Sequence, residues 1–263
     1  MLEVVNPAAV GGGVAAATFV AILLALALGR WIGRRVLARY APVTPPNIGS
    51  LETAVFALLG LMIAFTFSGG LSRFDVRRAQ VVQEANAIGT AWLRLDLLAP
   101  SAQPNLRKTF RDYVDSRIST YRAIADLTAA RTELAHSQDL QNEIWRQAVE
   151  ATRAPGSHPQ AALLLLPALN DMFDITTVRV AATQMHPPLI IYAMLIGLAV
   201  ASALLAGYQS AGEKAIDWVH QIGFAAIIAL TVYVILDIEY PRLGLIRMDA
   251  IDQLLVNVRA GMK

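Results

Sequence analysis

Cysteine is absent from all 263 residues, and charge is scarce: Asp, Glu, Lys and Arg together make up 16% of the chain. Without cysteine there is no disulfide, no thiolate nucleophile and no thiolate metal site, which leaves open the side of a membrane any polar part occupies. The four histidines, His136, His158, His186 and His220, are scattered without metal-ligand spacing, and no HExxH pattern occurs. A phosphate-cradling glycine loop, a dinucleotide fingerprint and a nucleophile elbow are all missing, so neither enzyme activity nor a metal or cofactor is expected. Sustained β alternation is lacking too, as is any repeat of solenoid length.

What the chain has is apolar length. Hydrophobic residues make up 56% of it, and the mean hydropathy is +0.48, values foreign to a soluble globular chain. The apolar residues gather in four runs, at about 10–28, 51–67, 188–206 and 222–236. At about 1.5 Å per residue, most of these cross a hydrocarbon core of roughly 30 Å, with the last the shortest. The expected architecture is an all-α integral membrane protein with lipid as its surroundings. A first pair of transmembrane helices falls in 1–68, a helical polar domain in 69–187, a second pair in 188–240 and a tail in 241–263. Ala25-Leu26-Ala27 resembles a signal-peptide cleavage site, but Glu3 and the lack of Lys or Arg before a long run favour a retained anchor.

The polar domain reads as helical, with turn signals at Pro100-Ser101, Pro104 and Pro155-Gly156-Ser157. Phe74, Arg78, Val81, Ala85, Ile88, Trp92 and Leu95 alternate spacings of four and three, the rhythm of a helix packing along another helix, with Arg78 as the misfit. Leu106, Phe110, Val114 and Ile118 or Tyr121, then Ile124, form a second stripe; Trp145 anchors a third helix over 134–152. Pro167 predicts a kink or a late start in a fourth helix over 160–184.

The stretch from Leu51 to Arg78 runs without proline from a membrane-length apolar helix into an arginine-rich amphipathic one, joined at Ser68-Gly69-Gly70, a candidate hinge. Stepping back by fours from Phe65 gives Leu61 and Ala57, one stripe on a helix of 3.6 residues per turn. Beside it, Gly60, Ala64 and Ser68 form a small-residue stripe that lets membrane helices approach closely. Copies of this helix around an axis would present the first stripe to a lumen. Leu and Phe in a span more commonly face lipid or a neighbour, so the stripe alone does not decide the matter. Glu52 reads as a helix cap, and Asp237 and Glu239, at the end of the last span, as an interfacial acidic pair for Arg242, Arg73 or Arg77. Gly11-Gly12-Gly13 reads as easing the chain into the bilayer; Gly29 and Gly33 have the four-residue spacing of a helix-dimer motif, but the intervening Arg30 and Trp31 favour an interface anchor. Arginines at 30–39 and 73–78 abut spans and read as headgroup contacts, not nucleic-acid contacts. Arg30, Arg34, Arg35, Arg39 and Lys214 on one side nearly balance Arg73, Arg77, Arg78, Arg179, Arg242 and Arg247 on the other, so charge does not fix orientation.

Leu61 to Arg78, with its Ala-Phe pair, small-residue link, Ser-Arg-Phe and Arg-Arg, resembles the neck of bacterial bestrophins. The chain resembles still more a set of bacterial bestrophin-like membrane proteins, through Glu84-Ala-Asn-Ala87 and Asp237-Ile-Glu-Tyr-Pro-Arg-Leu-Gly244. The order of spans and polar domain matches over nearly the whole chain. The resemblance implies a homopentameric channel for inorganic ions in the bacterial inner membrane, with the helical domain and termini in the cytoplasm. Bestrophins conduct largely anions in animals and are cation-selective in some bacteria, and conduction of chloride type is expected of this chain. It places the pore neck on Phe65, Leu61 and Ala57, and the junction between pore and domain on Arg73, Arg77, Glu84 and Asn86. Bestrophin necks present bulky residues at all three levels, and Ala57 departs from that pattern. The calcium-binding acidic cluster of animal bestrophins has no counterpart here. The alternative is a non-conducting membrane scaffold or sensor whose helical domain recruits a partner.

Overall fold

A computed structural model describes residues 7–40, 49–123, 126–213, 217–241 and 244–263, so Ile124, Lys214 and Arg242 lie outside the described residues. Among the described residues, eight α-helices occur in chain order: α1 Pro7–Tyr40, α2 Gly49–Arg94, α3 Gln103–Arg122, α4 Leu127–Thr152, α5 Ala161–Gln184, α6 Leu189–Gln209, α7 Trp218–Glu239 and α8 Asp249–Ala260. No strand occurs among the described residues. Among them, four helical stretches are long and apolar enough to cross a membrane. The contacts divide the chain into one unit of 1–73 with 186–240 and another of 74–185 with 241–263.

In the first unit α1 packs along α6 and α7. Ile22, Ala25 and Leu26 meet Leu195, Ala199 and Ala203, and then Ala225, Ile228 and Val232. The approach of α1 to α6 depends on glycine. A Cβ at Gly29 would lie 2.0 Å from the Leu204 carbonyl oxygen, and one at Gly207 would lie 2.1 Å from that of Leu26. A Cβ at Gly33 would lie 2.6 Å from the Ala211 Cβ and 2.7 Å from the Tyr208 carbonyl oxygen. The Gly29/Gly33 spacing is thus a helix-packing motif, and its reading as an interface anchor is corrected: the motif's partner, Gly207, is remote in sequence. Arg30, though beside Gly29, turns inward and donates to the Glu213 carbonyl at 2.8 Å. Gly11, Gly12 and Gly13 lie inside α1 and not ahead of it, and the last apolar run belongs to the 22-residue α7, about 33 Å long and able to cross unaided.

The second unit is built around aromatic and branched side chains. Ile88 and Trp92 of α2, and Leu95 in the 3-10 turn just after it, bury against Phe110 and Tyr113 of α3, Leu165, Leu169 and Met172 of α5, and Leu255 of α8. Fully burying each such side chain contributes roughly 1.5–3 kcal/mol. The anchors of α4 are Ile144, Ala148 and Ala151, an i, i+4, i+7 stripe, whereas Trp145 is more than one-third exposed. Asp126 caps α4 by accepting from the Thr128 and Ala129 amides, at 2.9 and 3.1 Å. Gly156, with φ +89°, makes the turn ahead of α5 in the left-handed region that favours glycine. Helix α5 starts at Ala161, ahead of Pro167, so the proline does not delay it.

Candidate functional site

Helix α2 is one uninterrupted 46-residue helix, about 69 Å long, so Ser68-Gly69-Gly70 forms no break in it. Within the first unit its inward face is apolar: Leu59 is buried, Met62 and Ile63 pack on the core, and Phe56 meets Phe224 edge-on at 5.8 Å. The opposite face carries Ala57, Leu61 and Phe65, all exposed on the chain, with Phe65 at 66% and Leu61 at 50%. Leu58, which spacing by fours passed over, is also exposed, at 51%, and sits about 20° around the helix from Phe65 while Ala57 sits about 80° away. Seven residues make about two turns, so the signal for Leu58 was its distance of seven from Phe65. Gly60, Ala64 and Ser68 are exposed alongside, and nothing lies within 4 Å of a Cβ built on Gly60.

The arginines that follow turn the other way. Arg73 forms a salt bridge to Glu239, which is 1% exposed; its Nε donates to the two carboxylate oxygens at 3.0 and 3.2 Å, and Nη2 donates to Oε1. A Cβ at Gly70 would lie 3.3 Å from Glu239 Oε1, so the glycine makes room for this pair instead of acting as a hinge. His186 Nδ1 lies 3.6 Å from Glu239 Oε2, and its ring stacks on Tyr240 at 4.7 Å. Of the acidic pair, Glu239 takes Arg73. Asp237 is buried beside it in sequence.

The remaining junction residues lie in the second unit, and the structure does not gather them in one place. Arg77 is buried and donates from Nε to the Ala182 carbonyl at 3.2 Å and from Nη2 to that of Met185 at 3.0 Å, satisfying carbonyls at the end of α5. Asn86 is exposed. Arg78, the misfit of the heptad, is exposed and pairs with Asp75 at 3.4 Å, because the buried line runs through Arg77, Gln80, Val81 and Glu84.

Glu84 is the centre of a buried charge cluster. Arg117 Nε donates to Oε1 at 2.7 Å, while Arg179 Nη1 and the Tyr121 hydroxyl donate to Oε2, the latter at 3.1 Å. Arg117 Nη2 also donates to the Tyr121 oxygen, and the Arg179 guanidinium lies over the Tyr121 ring at 3.8 Å. Burial pushes the Glu84 carboxyl up, but the Arg117 and Arg179 guanidiniums outweigh burial and hold it below its ordinary value. Burial pushes the Tyr121 hydroxyl well up, and the neighbouring Glu84 carboxylate adds to that. Sequence reasoning singled out Glu84 for the junction between pore and domain and missed its partners, Arg117, Arg179 and Tyr121, within the second unit. Their signal was an arginine within an apolar stripe, Arg117 three residues after Val114 on α3 and Arg179 three after Thr176 on α5, both on buried lines. Among the described residues no three of His, Asp and Glu converge as a metal site requires.

Apolar helices of membrane length, an outward apolar line on α2 and a separately packed helical unit define an all-helical, multi-pass membrane protein. The Bestrophin-like domain model matches residues 9–249, and the chain belongs to that family. No curated protein and no solved structure matches the chain.

Proposed function

We propose that this chain is one subunit of a ring-shaped ion channel, a homopentamer in the bacterial inner membrane that conducts anions of chloride type and carries no enzyme activity. The observation that carries this reading is the outward line of α2, where Leu61 and Phe65 stay exposed while the opposite face is packed. Membership of the Bestrophin-like family supports it as well. In the ring, Phe65 and Leu61 form the hydrophobic neck and gate by dewetting, with Ala57 and Leu58 at its wider mouth. The arginines near the neck are not its selectivity filter in this reading, since Arg73 is held by Glu239 and Arg77 by backbone carbonyls. They hold α2 in position. The polar unit lies in the cytoplasm, which a single cysteine at exposed Gln138 tests by labelling from one side, the native chain having none.

Purified protein in planar bilayers passes ion-selective current, and Phe65→Ala enlarges the leak in the closed state. Unchanged current in Phe65→Ala overturns the neck assignment, and no current from a closed ring of pentameric mass overturns the channel reading and leaves the scaffold.

A further inference from the structure

Serine or threonine in an apolar helix ordinarily spends its hydroxyl on the carbonyl one turn back, since an unbonded hydroxyl in lipid is costly. Thr18, Thr53 and Thr231 do this, and Thr66 donates to the Met62 carbonyl at 2.8 Å. Ser68 and Ser72 do not. Both are exposed, and neither hydroxyl makes a hydrogen bond among the described residues. They sit three and seven residues after Phe65, on the same outward face of α2 and within about 60° of it around the helix. The charge nearest to them in sequence, Arg73, turns inward to Glu239. At Ser68 and Ser72 the line that is apolar through Phe65 is therefore polar without being charged; the next exposed charge on that side is Asp75, three residues after Ser72 and paired with Arg78.

We propose that Ser68 and Ser72 form a ring of hydroxyls immediately past the Phe65 constriction, where a permeating ion leaves an apolar wall for uncharged hydrogen-bonding groups. This rests on the channel reading above. A hydroxyl donates to an anion and accepts toward a cation, so the ring eases rehydration of the ion without selecting its sign. Sign selection is then set at other positions and can be imposed here by adding a charge.

The native chain has no cysteine, so Ser68→Cys and Ser72→Cys each offer a single thiol. Both positions are exposed and unbonded, and each variant is used once its assembly elutes as the wild type does. A negatively charged thiol reagent is expected to abolish most of the current through either variant. The buried-face control Leu59→Cys is expected to keep its current. Ser72→Asp is expected to shift the reversal potential toward that of the cation, and Ser72→Asn to leave it in place. Thiols that react without changing the current, thiols that stay unreactive in conducting channels, or an unmoved reversal potential in Ser72→Asp overturn the proposal. If Phe65→Ala is silent while the Ser72 variants respond, the neck assignment falls and the hydroxyl ring stands. If the wild-type ring passes no current, both fall.

Discussion

The two units are held together by opposite means. In the unit of 1–73 and 186–240, the tightest packing is glycine against backbone: Gly29 and Gly207 let α1 and α6 approach until carbonyl oxygens occupy the space of a side chain. In the other unit, the tightest packing is bulk and charge, with Trp92 tilted against Phe110 at 5.8 Å, Phe110 edge-on to Tyr113 at 6.4 Å, and Glu84 enclosed by two arginines and a tyrosine. The difference is the one expected between a unit in lipid and, in the reading proposed above, a unit in water. Lipid tails are as apolar as leucine, so membrane helices gain little by burying leucine and associate through close van der Waals contact. A unit surrounded by water gains by removing large apolar surfaces from it, and its core then accepts a charged group only when every partner is supplied.

This contrast is most strongly broken at Gly29. Gly29→Leu places side-chain atoms where the Leu204 carbonyl stands, and is expected to cost more than about 4 kcal/mol, seen as loss of monodisperse protein in detergent. In the polar unit the comparable break is electrostatic. Glu84→Ala leaves two buried guanidiniums without their carboxylate and is expected to cost about 3–5 kcal/mol in thermal or denaturant unfolding, while membrane-helix content is retained.

The same carboxylate predicts an acid limb. Its folded value lies below that of an unfolded glutamate near 4.3, so its stabilisation is complete above that pH and is lost as pH falls through the lower folded value. The midpoint of unfolding followed from pH 7 to acid should fall less steeply in Glu84→Ala than in the wild type. A smaller effect is expected at Gly60, where a Cβ meets nothing within 4 Å: Gly60→Ala should leave the isolated chain unharmed or up to about 1 kcal/mol more stable, and any loss of the ring on native mass measurement would put a neighbouring copy against that face. Least of all should follow from Arg259→Ala. Its 2.8 Å pair with Asp115 is partly solvated, and surface pairs contribute about 0–1 kcal/mol.

Much of this protein was legible in its residues, and the limits of that reading are instructive at particular positions. The buried run Val81, Ala85, Ile88, Trp92 and Leu95 follows from its spacing, because a helix face repeats locally whatever it packs against. Arg78 and Arg77 show where such spacing fails. They are adjacent, and only the position of the α5 carbonyls determines which of the two is drawn in. Gly29 was visible as half of a close-packing motif, but its partner Gly207 is remote in sequence and no local pattern joins them. Ser68-Gly69-Gly70 looked like a break because glycine lowers helix propensity, yet tertiary packing keeps α2 continuous and uses Gly70 to admit the Glu239 carboxylate.

By itself the sequence determined the solvent, the helical class, the four apolar runs and the alignment of Leu61 with Phe65 on one stripe, since composition and a 3.6-residue period act within a single segment; that the stripe faces outward came from the packing of the opposite face. Only the tertiary structure decided that Arg73 belongs to Glu239, that Glu84 is shared by Arg117 and Arg179, and that α1 and α6 touch backbone to backbone. Those are pairings between distant segments, settled by the need to satisfy buried charge and fill space once the chain has closed on itself.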